Sequence, residues 1–120
     1  MQPNSNGLEQ LKAFSEEQPV FMLNYLKYKD VVEETGKTGT ETYEAYLKAA
    51  VPFFEHIDAE IIFKGKPVAT ILGPEEELWD EVLIVHYATK YEFFKLAQAK
   101  DYPQELRASA LSDSRLIFCK

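Results

Sequence analysis

Three observations in this 120-residue chain predict an α+β domain. Strand-like and helix-like stretches alternate, some strands follow one another too closely for parallel crossovers, and the strands are apolar on both faces. Short connections force antiparallel pairing and leave the helices on one face of the sheet. The other apolar face then needs cover of its own, which predicts a homodimer with two sheets packed face to face. The length suits one packed core, with residues 1–18 as a helical lead-in and 19–120 as a single domain.

Each element can be justified in order. In "LEQLKAFSE", residues 8–16, Leu8, Leu11 and Phe14 fall on one helical face, and Pro19 ends the run. "VFMLNYLKY", residues 20–28, is rich in aromatic and β-branched residues and reads as a strand. "KDVVEETGKTGT" is a polar loop that ends on Thr38-x-x-Glu41, a capping box for the next helix. Tyr43, Leu47, Ala50 and Phe54 form the buried stripe of that helix, and Pro52 should kink its last turns. "AEIIFKGKPVATILG", residues 59–73, holds two strand-like runs broken at Gly65-Lys66-Pro67, either a hairpin or a bulge in one bent strand. "WDEVLIVHYA" is the strongest strand pattern, and Thr89 caps the helix that follows it. Pro103 suits the first turn of a further short helix, "PQELRASAL", before the closing strand "SRLIFC". A ferredoxin-like split βαβ arrangement accommodates this order, and two copies would pack sheet to sheet.

Composition narrows the function classes. A formal net charge of -7 with scattered Lys and Arg argues against nucleic acid. The longest apolar runs, such as "VLIV", are far shorter than the ~18 residues of a membrane span. The N-terminus lacks a basic start followed by an apolar stretch, so no signal peptide is expected. Cys119 is the sole cysteine and cannot form an intrachain disulfide, in keeping with a cytoplasmic setting. Two histidines thirty residues apart make no metal site, "GKTGT" lacks the spacing of a phosphate loop, and no Ser-His-Asp order is visible. No cofactor is expected.

The candidates for chemistry are few. His86 shares a strand face with Val82 and Ile84, and Asn24 shares one with Val20, Met22 and Leu26. Each is a polar group set among apolar neighbours, as the wall of a small-molecule pocket requires. An imidazole can in general exchange protons near neutral pH, which makes His86 the best candidate for a proton acceptor; its alternative is a packed side chain bonded within the sheet. Arg107 and Arg115 could clamp an acidic ligand, or could pair locally, Arg115 with Asp113 and Arg107 with a glutamate. Tyr102, just before Pro103, could project over a cavity mouth, while the other tyrosines read as core or dimer contacts. His56, near the end of a helix, reads as a capping or surface residue.

"PVFMLNYLKYK" with the following glycine-containing loop and "ETYEAY", together with "WDEVLIVHYATKYEFFKLAQAKDY" and "LRASALSDSRLI", resembles the domain of unknown function 1330 family. The resemblance spans roughly residues 19–118. It implies a dimeric α+β barrel and brings no established reaction, so no catalytic residues carry over. At position 86 the chain departs from that pattern, and a role for His86 would be particular to this protein. The expected function is a homodimer binding a small apolar or weakly acidic molecule in the barrel interior, oriented by Asn24, His86, Tyr102, Arg107 and Arg115. The alternatives are a cofactor-independent oxygenase or isomerase with His86 as proton acceptor, and a non-catalytic dimer with a filled core.

Overall fold

A computed structural model describes residues 3–120 of the chain. It opens on helix α1, Ser5–Ala13, whose first turn is capped by Asn4: the Oδ1 atom accepts from the Gly7 amide at 2.8 Å. The helix starts and ends three residues earlier than its apolar spacing predicts, because Asn4 supplies a cap that Leu8 cannot. The lead-in is nevertheless part of the core. Leu11 is buried, and the Phe14 ring meets Phe118 edge-on with centroids 5.0 Å apart.

Strand β1, Val20–Tyr28, lies inside a four-stranded antiparallel sheet. It pairs with β3, Glu81–Tyr87, on one side and with β4, Leu111–Cys119, on the other; β2, Ala59–Gly65, pairs with the far side of β3. The sheet order is therefore β2-β3-β1-β4. Helix α2, Gly39–Phe54, joins β1 to β2, and helices α3, Lys90–Ala97, and α4, Gln104–Ala110, join β3 to β4. This is the ferredoxin-like α+β arrangement expected from the element order.

Burial alternates along the central strands with the two-residue period of the pleat. Val20, Met22, Asn24 and Leu26 of β1, with Leu83, Val85 and Tyr87 of β3, are buried on the helix side. They join Leu11 and Leu96 in one cluster, and Tyr43, Tyr46, Ala50 and Ala110 in another. Phe21, Leu23 and Tyr25 of β1, with Val82, Ile84 and His86 of β3, face the other way and remain only partly covered. That uncovered face is the apolar second surface anticipated from the strands.

Local signals in α2 act as expected. Thr38 Oγ1 accepts from the Glu41 amide and Glu41 Oε1 accepts from the Thr38 amide, both at 3.0 Å. The Thr38 backbone amide, and after it the Thr38 hydroxyl, hold the exposed Glu41 carboxyl below its usual range. Tyr43 and Ala50 are buried, Leu47 and Phe54 partly so, and the helix continues past Pro52 to Phe54. Thr89 stands at the N-cap of α3, but its hydroxyl accepts no hydrogen bond from the first-turn amides.

The region after Gly65 differs from both readings offered by the sequence. It is neither a hairpin nor a bent strand: β2 ends at Gly65, and residues 66–80 form no strand or helix. Pro67 lacks the amide that a continuing ladder would use. The bulge lies upstream instead, between Ile61 and Phe63, and sets Phe63 opposite Ile84 on the uncovered face.

Candidate functional site

Asn24 sits midway along β1, 7% exposed, beneath the helices. Its Nδ2 donates to the Met22 carbonyl at 3.3 Å and the Leu83 carbonyl at 3.4 Å. These two bonds orient the amide so that Oδ1 faces α4, where it accepts from Arg107 Nη2 at 3.1 Å. A buried amide left unpaired would cost about 1–3 kcal/mol, so this network keeps Asn24 in place and aims Arg107 at the sheet.

Four phenols lie within range of the guanidinium's charge. Tyr43 and Tyr46 lie one turn apart on α2, Tyr87 ends β3, and Tyr102 lies in the α3–α4 turn. The Tyr46 and Tyr102 hydroxyls bond to each other, and Tyr102 also meets Phe53 edge-on at 5.4 Å. Burial raises the pKa of all four, pushing Tyr43 up to about 12, while the positive charge of Arg107 pulls each of them down. Among the described residues no ion pair involves Arg107. The expected pairing of Arg107 with a glutamate does not form; Glu81, the buried carboxylate of β3, accepts from the Tyr28 hydroxyl.

The raised phenol pKa values carry a pH dependence. An unfolded tyrosine ionises near ~10, a buried one later, so the unfolded chain releases protons first as pH rises. Stability from these groups is complete below about pH 10 and is lost as pH climbs toward the folded values. Thermal melts should therefore shift downward between pH 9 and pH 11, and Tyr46→Phe should flatten that slope. A melting temperature level across this range would contradict the buried-phenol cluster.

Beside the cluster an open cleft of about 550 Å³ runs between the start of α2 and the sheet. Tyr28, Thr40, Tyr43 and Leu47 are among its walls, and its charged lining is mixed, with Lys29, Lys64 and Lys66 beside Asp30, Glu44, Asp80 and Glu81. Tyr43 belongs to both cleft and cluster, since it lines the former and lies near enough to Arg107 for the guanidinium charge to act on its phenol. The volume lies within the range of small-molecule sites.

The register separates the two residues that the sequence placed in one pocket. His86 pairs with Phe21, whereas Asn24 pairs with Leu83, which puts their side chains on opposite faces of the sheet. His86 packs edge-on against Phe21, centroids 5.1 Å apart, on the uncovered face. Arg115 makes the local pair with Asp113, 2.6 Å on the exposed edge strand; that contact holds the Asp113 carboxyl below its usual range. Arg115 also lies over the Trp79 ring at 5.2 Å. Tyr102 is not over a mouth but is tied into the cluster, and His56 is exposed beyond α2. Asn24, Arg107 and Tyr102 thus come together, while His86 and Arg115 stand apart. Tyr43, Tyr46 and Tyr87 complete the site. Their signal in the sequence is their phase: Tyr43 and Tyr46 share a helix face, and Tyr87 alternates in step with Leu83 and Val85.

No protein-family model and no curated protein matches the chain. Among solved structures it is similar to the RPA0582 protein of unknown function from Rhodopseudomonas palustris, at 30% identity over 99% of this chain and 94% of that one, with a TM-score of 0.87. The methylated form of that protein superposes with a TM-score of 0.88 at 28% identity. A dimeric, ferredoxin-like protein of unknown function from Bacteroides fragilis matches at 15% identity, over 85% of this chain and 95% of that one, with a TM-score of 0.56. Another from Thermobifida fusca matches at 13% identity, over 89% and 94%, with a TM-score of 0.54. The last two establish likeness of fold.

Proposed function

The chain belongs to the family of the Rhodopseudomonas palustris protein RPA0582, and on that premise we propose that it works as a homodimer binding a small, weakly acidic molecule at Arg107. One observation carries the reading: the α4 guanidinium is held against the sheet by Asn24, and no carboxylate among the described residues forms an ion pair with it. Such a group is a preorganised partner for an anionic oxygen. The cleft ending at Tyr43 provides the approach, and its apolar walls at Leu47 and Tyr28 suit a ring or short chain. The binding site is accordingly between sheet and helices, rather than between two sheets as the sequence suggested. The sheet-to-sheet dimer is supported by the partly covered Phe21, Leu23 and Ile84 and by the dimeric fold relatives. His86 then belongs to the dimer-facing surface, away from the ligand. The spaced pattern of the 1330 family and the lone free Cys119 support assignment to that family and to a reducing compartment.

The test is a titration with benzoate, salicylate and short 2-oxo acids, followed by NMR of the Arg107 Nε–H and the Asn24 side-chain amide. Those signals should move together, and Arg107→Gln should weaken binding by about 10- to 100-fold, the loss of a charge-assisted bond. Equal binding to the Gln variant, or no shift with any carboxylate, would leave a non-catalytic dimer with a filled core as the better reading.

A further inference from the structure

Residues 66–80 carry three side chains that gain nothing from their own chain. Val68, Ile71 and Leu72 are 88%, 89% and 93% exposed, far above any other large apolar residues of the described chain. Scattered exposed apolar residues are ordinary, but three within five positions form a patch that water disfavours. The ends of the segment, by contrast, are anchored. It leaves β2 at Gly65 and returns through Trp79, which packs on Tyr25 at 5.8 Å and beneath the Arg115 guanidinium. Asp80 then enters the sheet, its amide donating to the Leu26 carbonyl at 2.8 Å.

The register places both anchors in one row. Gly65 pairs with Val82, Val82 with Tyr25, and Tyr25 with Arg115. The segment therefore springs from and returns to the same rung of the sheet, on the edge of its uncovered face. At its root lies an apolar notch of about 310 Å³, walled by Phe63, Gly65, Pro67 and Val82. A Cβ at Gly65 would stand 2.6 Å from the tip of the Phe63 ring, which would have to swing aside.

We propose that residues 66–78 form an arm that crosses to a second copy of this chain, seating Val68, Ile71 and Leu72 on its uncovered sheet face and arm-root notch. The inference rests on the homodimer reading above and specifies how that dimer is held. A second copy is the occupant because one chain supplies both halves of the contact: an apolar arm with no apolar surface beneath it, and an apolar sheet face with no cover. In a two-fold arrangement each arm meets the other copy's arm root, so both surfaces are satisfied by a single operation. Charge agrees: Glu75, Glu76 and Glu77 lie on the arm, and Lys66 lies at the notch.

Sedimentation equilibrium on the full chain, unmodified and as the Val68→Ser/Ile71→Ser/Leu72→Ser variant, tests this. All three side chains are exposed within their own chain, so the variant should keep its circular dichroism spectrum. Its dimer dissociation constant should rise by at least about 100-fold, as expected for losing three apolar contacts. A photo-crosslinking residue at position 72 should, in a mixture of ¹⁴N and ¹⁵N chains, join peptides of different isotopic label. A monomeric unmodified chain would overturn the dimer and the arm exchange together. A dimer unweakened by the three serines, or crosslinks only within one chain, would overturn the exchange and leave the dimer standing.

Discussion

Gly39→Ala should destabilise the protein by about 3 kcal/mol, reading as a lower urea midpoint with an unchanged slope. Helix propensity points the other way, since alanine in place of glycine favours a helix by up to about 1 kcal/mol. Packing decides the sign. A Cβ at Gly39 would stand 2.5 Å from the carbonyl oxygens of Ala110 and Lys29 and 2.6 Å from the Lys29 nitrogen. All three atoms are backbone and cannot rotate aside. They also belong to a short hydrogen-bond chain, in which the Gly39 amide donates to the Lys29 carbonyl at 2.9 Å and the Lys29 amide to the Ala110 carbonyl at 3.0 Å. Making room for a methyl would pull α2 away from the end of β1 and the joint of α4 with β4 at once. An alanine variant as stable as the parent would show that this approach is looser than described.

Lys90→Met should cost about 2–3 kcal/mol and release α1 from the body of the fold, the expected loss for bonds from a charged donor. Lys90 is 4% exposed, and its Nζ donates to the carbonyls of Lys12 and Phe14, the latter at 2.6 Å. Those carbonyls close the C-terminal end of α1, where the helix dipole is negative and a cation is favoured. Methionine keeps the apolar stem and removes only the charge, so packing of Leu11 and Phe14 is disturbed as little as possible. Amide hydrogen exchange should then accelerate across residues 5–13 while β1 and β3 stay protected. Protection of α1 equal to that of the parent would assign its attachment to Leu11 and Phe14 alone.

Much of the fold was legible because it follows from short-range pattern. The capping box at Thr38 and Glu41, the stripe from Tyr43 to Phe54, and the two-residue alternation in "VFMLNYL" and "EVLIVHY" depend on neighbours within a few positions. Other features depended on atoms distant in sequence. The buried charge of Lys90 looks like any helix-start lysine until Lys12 and Phe14 lie beneath it. Gly39 looks like loop flexibility until Lys29 and Ala110 close around it. The segment after Gly65 misled because "PVATIL" has strand propensity, while Pro67 and the edge position of β2 deny it a ladder partner.

The candidate site shows the same division. That Asn24 and His86 each stand among apolar neighbours, and that Arg107 could meet an anion, was determined by the sequence alone. Which of them meet was decided by register. Side chains alternate every residue, so the pairing of Phe21 with His86 and of Asn24 with Leu83 sends the histidine and the asparagine to opposite faces. Strand pattern is intrinsic to a segment, but the relative phase of two strands is a property of their hydrogen bonding. Only the assembled sheet could place Arg107 with Asn24 and the tyrosines and leave His86 on the opposite, partly covered face.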